Sequence, residues 1–344
     1  MGSSRSRDGR VVDGRSCGGR SGDEAESPIR VGVSSCLLGN HVRYDSGHKH
    51  DRYITDVLGG YFEFVAVCPE VEMGLGVPRE TLRLVREAGR GDDDIRLVAP
   101  ASDSDHTETM ARWARARVRD IAKMDLSGFL LKKGSPSCGM DRVRVYTTKG
   151  MPSVSGRGRF ADALMAHLPL LPVEEEGRLN DAALRENFIT RVFAYRRLSD
   201  LFRPRWRIGD LVEFHASEKM LLLAHQPVAE KELGRLVAGA KGRPRGEVAD
   251  GYRTRFLEAL SKPVRRRRHV NVLQHMVGHF RGRMDDGARA ALAVAIDDFQ
   301  AERAPLLVPL TLVRHYAQVL DVAYLARQSY LEPHPQELML RNHA

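Results

Sequence analysis

The sequence predicts an α/β domain built on a parallel sheet, followed by an all-α domain. Three observations carry this reading. Short, continuous apolar runs alternate with helical periodicity up to about residue 172; three of those runs end in loops that carry a cysteine; and from there the apolar residues recur with a period of about 3.6. The first run, Ile29 to Ser34, is β-branched and ends in Ser35-Cys36. The second, Phe62 to Val67, ends in Cys68-Pro69-Glu70, and the third, Phe129 to Leu131, leads into Lys132-Lys133-Gly134-Ser135-Pro136-Ser137-Cys138-Gly139. Between the second and third, Met110, Trp113, Ala114, Val118 and Ile121 share one helical face. Strands that are apolar on both faces need helices on both sides, which gives a Rossmann-like layering. In such a sheet ligands bind beyond the carboxyl ends of the strands, where all three cysteines fall.

Beyond Pro172 the pattern is helical, with runs around residues 180–201, 208–224, 228–240, 246–260, 264–282, 286–300 and 309–328. Pro204 to Arg207 and Gly242 to Gly246 punctuate them as breaks. The expected division is therefore a tail at 1–27, an α/β domain at 28–172 and a helical domain at 173–344. Residues 1–27, rich in Gly, Ser, Arg and Asp, have almost nothing to bury and read as disordered; Cys17 lies among them. No repeat is evident.

With 344 residues and 42% hydrophobic content the chain can build two cores. No apolar run approaches the roughly 20 residues of a membrane helix, and no apolar segment follows the basic N-terminus, so a soluble cytoplasmic protein without a secretory signal is expected. Four cysteines are too few for a disulfide scaffold, and Cys36, Cys68 and Cys138 read as thiols kept for chemistry in a reducing compartment.

The net charge of +9 is unevenly placed. Residues 1–27 balance five Arg against five acids, residues 28–174 carry 21 Lys and Arg against 19 acids, and residues 175–344 carry 28 against 21. The basic excess thus lies in the helical half, where Arg265 to Arg268 form a run of four. Guanidinium forks match phosphate, so this half points to a polyanion such as RNA; a solvated surface in an Arg-biased composition is the plainer reading.

No Cys-x-x-Cys occurs, so a small structural zinc site is not indicated. Cys36, Cys68 and Cys138 lie 32 and 70 residues apart and can meet only through the fold. Three thiolates at the ends of neighbouring strands suit a cubane cluster with one iron left open to a substrate sulfur, whereas three buried cysteines could also pack as small hydrophobes. His275 and His279 are four apart, but no carboxylate or cysteine completes a metal site beside them.

The strings Val33-Ser34-Ser35-Cys36-Leu37-Leu38-Gly39, Val42-Arg43-Tyr44-Asp45, Val67-Cys68-Pro69-Glu70-Val71 and Gly134-Ser135-Pro136-Ser137-Cys138-Gly139 resemble the thiouracil desulfidase (TudS) family over about residues 29–172. In the second half, Phe214-His215, Leu223-Ala224-His225, Leu233-Gly234-Arg235, His269 to His275 with Gly278, Pro305-Leu306 to His315 and Glu337-Leu338 to Arg341-Asn342 resemble the YbgA-like helical domain. Ser217-Glu218-Lys219 departs from that pattern, which has a histidine before the lysine.

The resemblance implies a desulfidase holding a [4Fe-4S] cluster on Cys36, Cys68 and Cys138 and hydrolysing a thiocarbonyl without net redox change. It further implies that tRNA containing 4-thiouridine is the substrate and that the helical domain presents the RNA. Free thiouracil-type bases are the same-class alternative, and a non-catalytic iron–sulfur RNA-binding or redox-sensing protein is the alternative of another class. Glu70, two residues from a ligand, is then the general acid–base, and Ser135 a catalytic hydrogen-bonding group. Ser137, Asp45, Arg43 and Lys132 are candidate substrate contacts in the first half, and Arg266 and Arg267 candidate phosphate contacts in the second. Each has a plainer reading: turn former for the serines, internal ion pair for Arg43 and Asp45, solvated strand edge for Lys132, solvated helix end for the arginines.

Overall fold

Residues 28–86, 95–147 and 152–342 are described by the computed structural model of the chain; the tail at 1–27, with Cys17, lies outside them. In chain order the first half contains β1 (Ile29–Ser34), β2 (Phe62–Val67), a one-turn helix α1 (Pro69–Glu72), β3 (Arg83–Arg86), β4 (Ile95–Ala99) and β5 (Ser104–Asp105). It continues with α2 (Thr107–Ile121), β6 (Leu126–Leu131), β7 (Val143–Thr147), β8 (Pro152–Gly156), α3 (Arg159–His167) and β9 (Val173–Glu175).

β1, β2, β6 and β9 form a fully parallel sheet in the order β2-β1-β6-β9, as expected for the apolar runs of β1, β2 and β6, whereas β9, Val-Glu-Glu, carries no such run. The chain leaves β1 toward opposite neighbours, first to β2 and later to β6, so the crevice of a switch point opens at the carboxyl end of β1. Phe129 and Leu131 of β6 pack with Met110, Ala114 and Val118 of α2 and Phe160 and Leu164 of α3 on one face. β6 begins at Leu126, three residues earlier than its apolar core suggests, because Ser127 and Gly128 are also buried in the sheet.

A second sheet, in the order β5-β4-β3-β7-β8, was not legible in the sequence. Its strands pair antiparallel except β3 with β7. They are short, and β8 is exposed along most of its length, so no apolar run marks them.

The second half is helical: α4 (Ala182–Leu201), α5 (Ile208–His225), α6 (Pro227–Ala238), α7 (Arg245–Ala259), α8 (Arg266–Gly278), α9 (Asp286–Gln300), α10 (Leu307–Val319) and α11 (Ala323–Ala326). Asp181 starts α4 by accepting the amides of Ala183 and Leu184, and Asp285 starts α9 through Ala288. The run expected at 309–328 stops at Val319, and only one further turn, α11, follows. α4 belongs to both halves. Phe188, Ile189 and Val192 cover the second face of the parallel sheet against Val31, Val33 and Leu130, while Ala194 and Leu198 enter the core of the helical half. β9 pairs with β6 beyond position 172, so the sheet takes its last strand from residues 173–175.

Candidate functional site

Each cysteine is set by the element that precedes it. Cys36 is the second residue of a 3-10 turn that starts at Ser35 directly after β1, and its carbonyl accepts the amides of Gly39 at 3.4 Å and Lys49 at 2.9 Å. Cys68 follows β2 in extended conformation and caps α1, with Pro69 as the first helical residue and its own amide donating to Glu72 Oε1 at 3.1 Å. Cys138 lies in the loop after β6. That loop turns at Gly134, whose φ of +69° is the left-handed region, and is drawn tight by Ser135 Oγ, which accepts the amides of Ser137 at 3.2 Å and Cys138 at 3.0 Å. Its outer side is fixed by the start of α3: the amides of Phe160 and Ala161 donate to the Ser137 carbonyl at 3.0 and 3.1 Å.

The three cysteines, Glu70 and Ser135 line one cavity of about 260 Å³ at the carboxyl ends of β1, β2 and β6. All three thiols are free. Burial raises the pKa of each, and for Cys68 the nearby Glu70 charge adds to burial and pushes it up to about 12. A cationic centre bound among buried thiols offsets this effect by drawing off their protons and taking them as thiolate ligands. Among the described residues no group of three His, Cys, Asp or Glu side chains is close enough together for a single metal ion. Three soft sulfur donors spread around one cavity and free of disulfides fit a polynuclear iron–sulfur centre, which spans more space than an ion.

Glu70 is held from two sides. Its Oε2 lies 3.6 Å from Cys68 Sγ and 3.9 Å from the guanidinium of Arg79. Arg79 is nearly buried and also donates through Nη1 to the carbonyls of Val42 at 2.9 Å and Gly76 at 3.0 Å. Sequence reasoning missed Arg79. A single arginine in an irregular loop gives no periodic signal, and only its return to the β2 loop reveals it. Ser34, buried at the end of β1, was also missed as a site residue; its Oγ accepts the amide of Lys132 at 3.0 Å and its hydroxyl faces Cys138.

The remaining first-half residues are placed as follows. Arg43 lines the cavity, stacks over Tyr44 at 5.2 Å and pairs with Asp45 at 3.4 Å. Asp45 itself sits outside the wall, in a turn where Oδ1 accepts the Gly47 amide. Lys132 lines the cavity with its ammonium bonded to Glu176, whose other oxygen accepts the Lys133 amide at 2.7 Å. Ser135 is on the wall, with its hydroxyl oxygen engaged by the loop. Ser137 is wholly buried behind it, and its Oγ has no hydrogen-bond partner among the described residues.

In the helical half the run of four arginines splits. Arg266 turns inward: Nη1 donates to the Phe299 carbonyl at 2.7 Å, and the guanidinium lies 4.7 Å over the Phe299 ring and 3.5 Å from Glu302. Arg267 and Arg268 are exposed. Arg268 joins Lys219, Lys231, His215, His275 and His279 along an open groove of about 810 Å³ between α5, α6 and α8. Tyr324 lies 5.0 Å from the His279 ring, and the one acid of the groove, Glu230, lies 3.8 Å from Lys219. In the departing Ser217-Glu218-Lys219 string, Glu218 is buried as a staple, bonded to Arg197 at 2.7 Å and to Ser329 Oγ at 2.6 Å.

Residues 31–176 match the family model described as 2-thiouracil desulfurase, and residues 219–335 match a model described as a protein of unknown function, DUF1722. The uncharacterized protein YbgA of Escherichia coli (strain K12) is 33% identical over 158 residues, covering 46% of this chain and 94% of YbgA. The uncharacterized protein YbbK of Bacillus subtilis (strain 168) is 30% identical over 135 residues, covering 38% of this chain and 87% of YbbK. A solved structure described as the [4Fe-4S]-dependent thiouracil desulfidase TudS is 32% identical, covers 47% of this chain and 99% of its own, and superposes with a TM-score of 0.36. The cysteine-lined cavity lies wholly inside the first matched region, and the chain therefore belongs to the 2-thiouracil desulfurase family, as a desulfidase with a DUF1722 domain fused behind it.

Proposed function

We propose that this chain removes sulfur from 4-thiouridine in tRNA, leaving uridine and sulfide, with a [4Fe-4S] cluster held by Cys36, Cys68 and Cys138. The observation that carries the reading is the convergence of three free thiols and one carboxylate on a single small cavity. A cluster held by these cysteines would supply a soft Lewis acid toward the sulfur of a thiocarbonyl. The chain's own residues do the rest. Arg79 keeps the Glu70 carboxylate directed at the cavity beside Cys68, where it takes a proton from water as oxygen adds to carbon and returns one to the departing sulfur. One water is consumed and one hydrogen sulfide released, so no electron donor is required. Gly134 to Cys138 forms a rigid wall against which a flat pyrimidine can lie, and Arg43 borders the same opening.

The groove lined by Lys219, Lys231, Arg268 and three histidines supports RNA over a free base, because basic side chains outside the reaction cavity can grip a phosphate backbone and a free base has none. The test is to give anaerobic protein either 4-thiouridine tRNA or free thiouracil and measure sulfide and nucleoside composition without reductant. Release from tRNA with stoichiometric uridine is expected. Turnover of the free base alone would replace the RNA reading, and a stoichiometric demand for reductant would overturn hydrolysis.

A further inference from the structure

A second cavity of about 260 Å³ lies inside the helical half, and the desulfurating chemistry uses none of its residues. Its wall brings together positions far apart in sequence: Glu186 from α4, His225 from the end of α5, Arg266 and His269 from α8, and Tyr330 and Arg341 from the C-terminal segment. His269 and Arg341 are more than nine-tenths buried and Tyr330 is completely so. His225 Nδ1 is bonded to the Lys262 carbonyl at 3.0 Å, so that nitrogen carries the proton and Nε2 is left as an acceptor. His269 Nδ1 is 2.8 Å from the Tyr330 hydroxyl.

The charges do not cancel. Two guanidiniums face the cavity, and one carboxylate, Glu186, is on its wall, bonded to Arg341 Nε at 2.9 Å. Arg341 Nη1 donates to the Tyr330 carbonyl at 2.5 Å, and Arg266 Nη1 to the Phe299 carbonyl. The acid that pairs with Arg266, Glu302, is a solvent-facing residue off the cavity wall. Burial keeps both imidazoles neutral, with His225 pushed down to about 4. A half-open cavity with a net positive wall, neutral hydrogen-bonding imidazoles and an aromatic side at Phe299 is stabilised by an anion that also accepts and donates hydrogen bonds. We infer that this cavity is a second ligand site, one that takes the phosphate of a nucleotide between Arg266 and Arg341 with the imidazoles of His225 and His269 beside it. A phosphate monoester suits this wall better than a carboxylate, since it offers more acceptor oxygens to two guanidinium forks and, as the monoanion, a hydroxyl to an imidazole acceptor. The inference does not depend on the desulfidase reading.

The experiment is calorimetric titration of the full-length protein, held anaerobic and at constant ionic strength, with inorganic phosphate, uridine 5′-monophosphate and uridine. Phosphate and the nucleotide should bind one to one and uridine should not. Arg266→Gln and His225→Gln, each checked for native helicity, should weaken the nucleotide about tenfold or more, as loss of a charge-assisted hydrogen bond does. Lys219→Ala in the outer groove should leave the affinity unchanged. A 5′-phosphorylated RNA oligonucleotide and its dephosphorylated form are run in competition: displacement of the nucleotide by the phosphorylated form alone identifies an RNA end as the source of the phosphate, and no displacement identifies a free nucleotide. Absence of phosphate and nucleotide binding at millimolar concentration, or unchanged binding in both folded variants, would overturn the inference.

Discussion

At the scale of the residue, the proposed mechanism divides the work between three thiols that would hold the cluster and one tethered carboxylate that would move the proton. Cys36→Ser, Cys68→Ser and Cys138→Ser should each lose iron and sulfide content on anaerobic reconstitution, because a hydroxyl is a poor ligand for a soft metal centre. Glu70→Gln keeps the shape of the side chain and removes its basicity; cluster content should stay native while the rate falls by roughly 10²–10⁴, the range of general acid–base groups. Arg79 acts one contact further out, through Glu70 and the carbonyls of Val42 and Gly76. Arg79→Gln should lower the rate about 10–100-fold, the usual effect of losing a positioning partner. Arg79→Lys, which keeps a cation beside Glu70, should retain more of the rate than Arg79→Gln.

At the scale of the element, the loop after β6 and the start of α3 form one unit that places Cys138. A Cβ added at Gly158 would stand 2.5 Å from the carbonyl carbon of Ser137 and 2.8 Å from the Cys138 amide, so the loop and helix could not stay docked. Gly158→Ala should therefore lower stability by about 1–3 kcal/mol, as overpacking does, and reduce cluster content; urea midpoints and iron analysis check both. The C-terminal segment carries another test. His334 is buried, and burial, with the Arg341 charge adding to it, pushes its pKa down to about 4. The unfolded chain protonates this histidine near pH 6.5, so below that pH unfolding takes up a proton that the folded state refuses. His334's contribution is present above pH 6.5 and is lost as pH falls toward 4. In His334→Gln the drop in urea midpoint between pH 6.5 and pH 4 should be smaller than in the parent protein.

At the scale of the whole molecule, α4 ties the halves together by facing the parallel sheet with one set of side chains and the helical core with another. The basic excess of the second half is spent unequally: Arg266 is engaged by Phe299 and Glu302, while Arg267 and Arg268 remain exposed. Arg267→Ala with Arg268→Ala should weaken tRNA binding uniformly across tRNA species and reduce the slope of log affinity against log salt by about 1 per lost phosphate contact. Desulfuration of a free thiopyrimidine, where measurable, should be unaffected. An unchanged salt slope would place the RNA elsewhere on the molecule.

By itself the sequence determined the local elements and the chemical alphabet of the site. β1 and β2 begin and end where their apolar runs do, α2 buries Met110, Ala114, Val118 and Ile121 as its periodicity requires, and α4 to α9 follow close to the expected runs, with α10 ending early at Val319. These features are legible because burial imposes a short-range period on one stretch of chain. The four motifs likewise named Cys36, Cys68, Cys138 and Glu70. Only the tertiary structure decided that the strand order β2-β1-β6-β9 brings cysteines 32 and 70 residues apart to one cavity. It also decided that β3, β4, β5, β7 and β8 form a second sheet, that Arg79 tethers Glu70, and that Arg266 is bonded to Phe299 while the adjacent Arg267 is exposed. Strand pairing, long-range hydrogen bonds and the direction of a side chain at a helix start depend on partners far along the chain, and a local pattern carries no record of them.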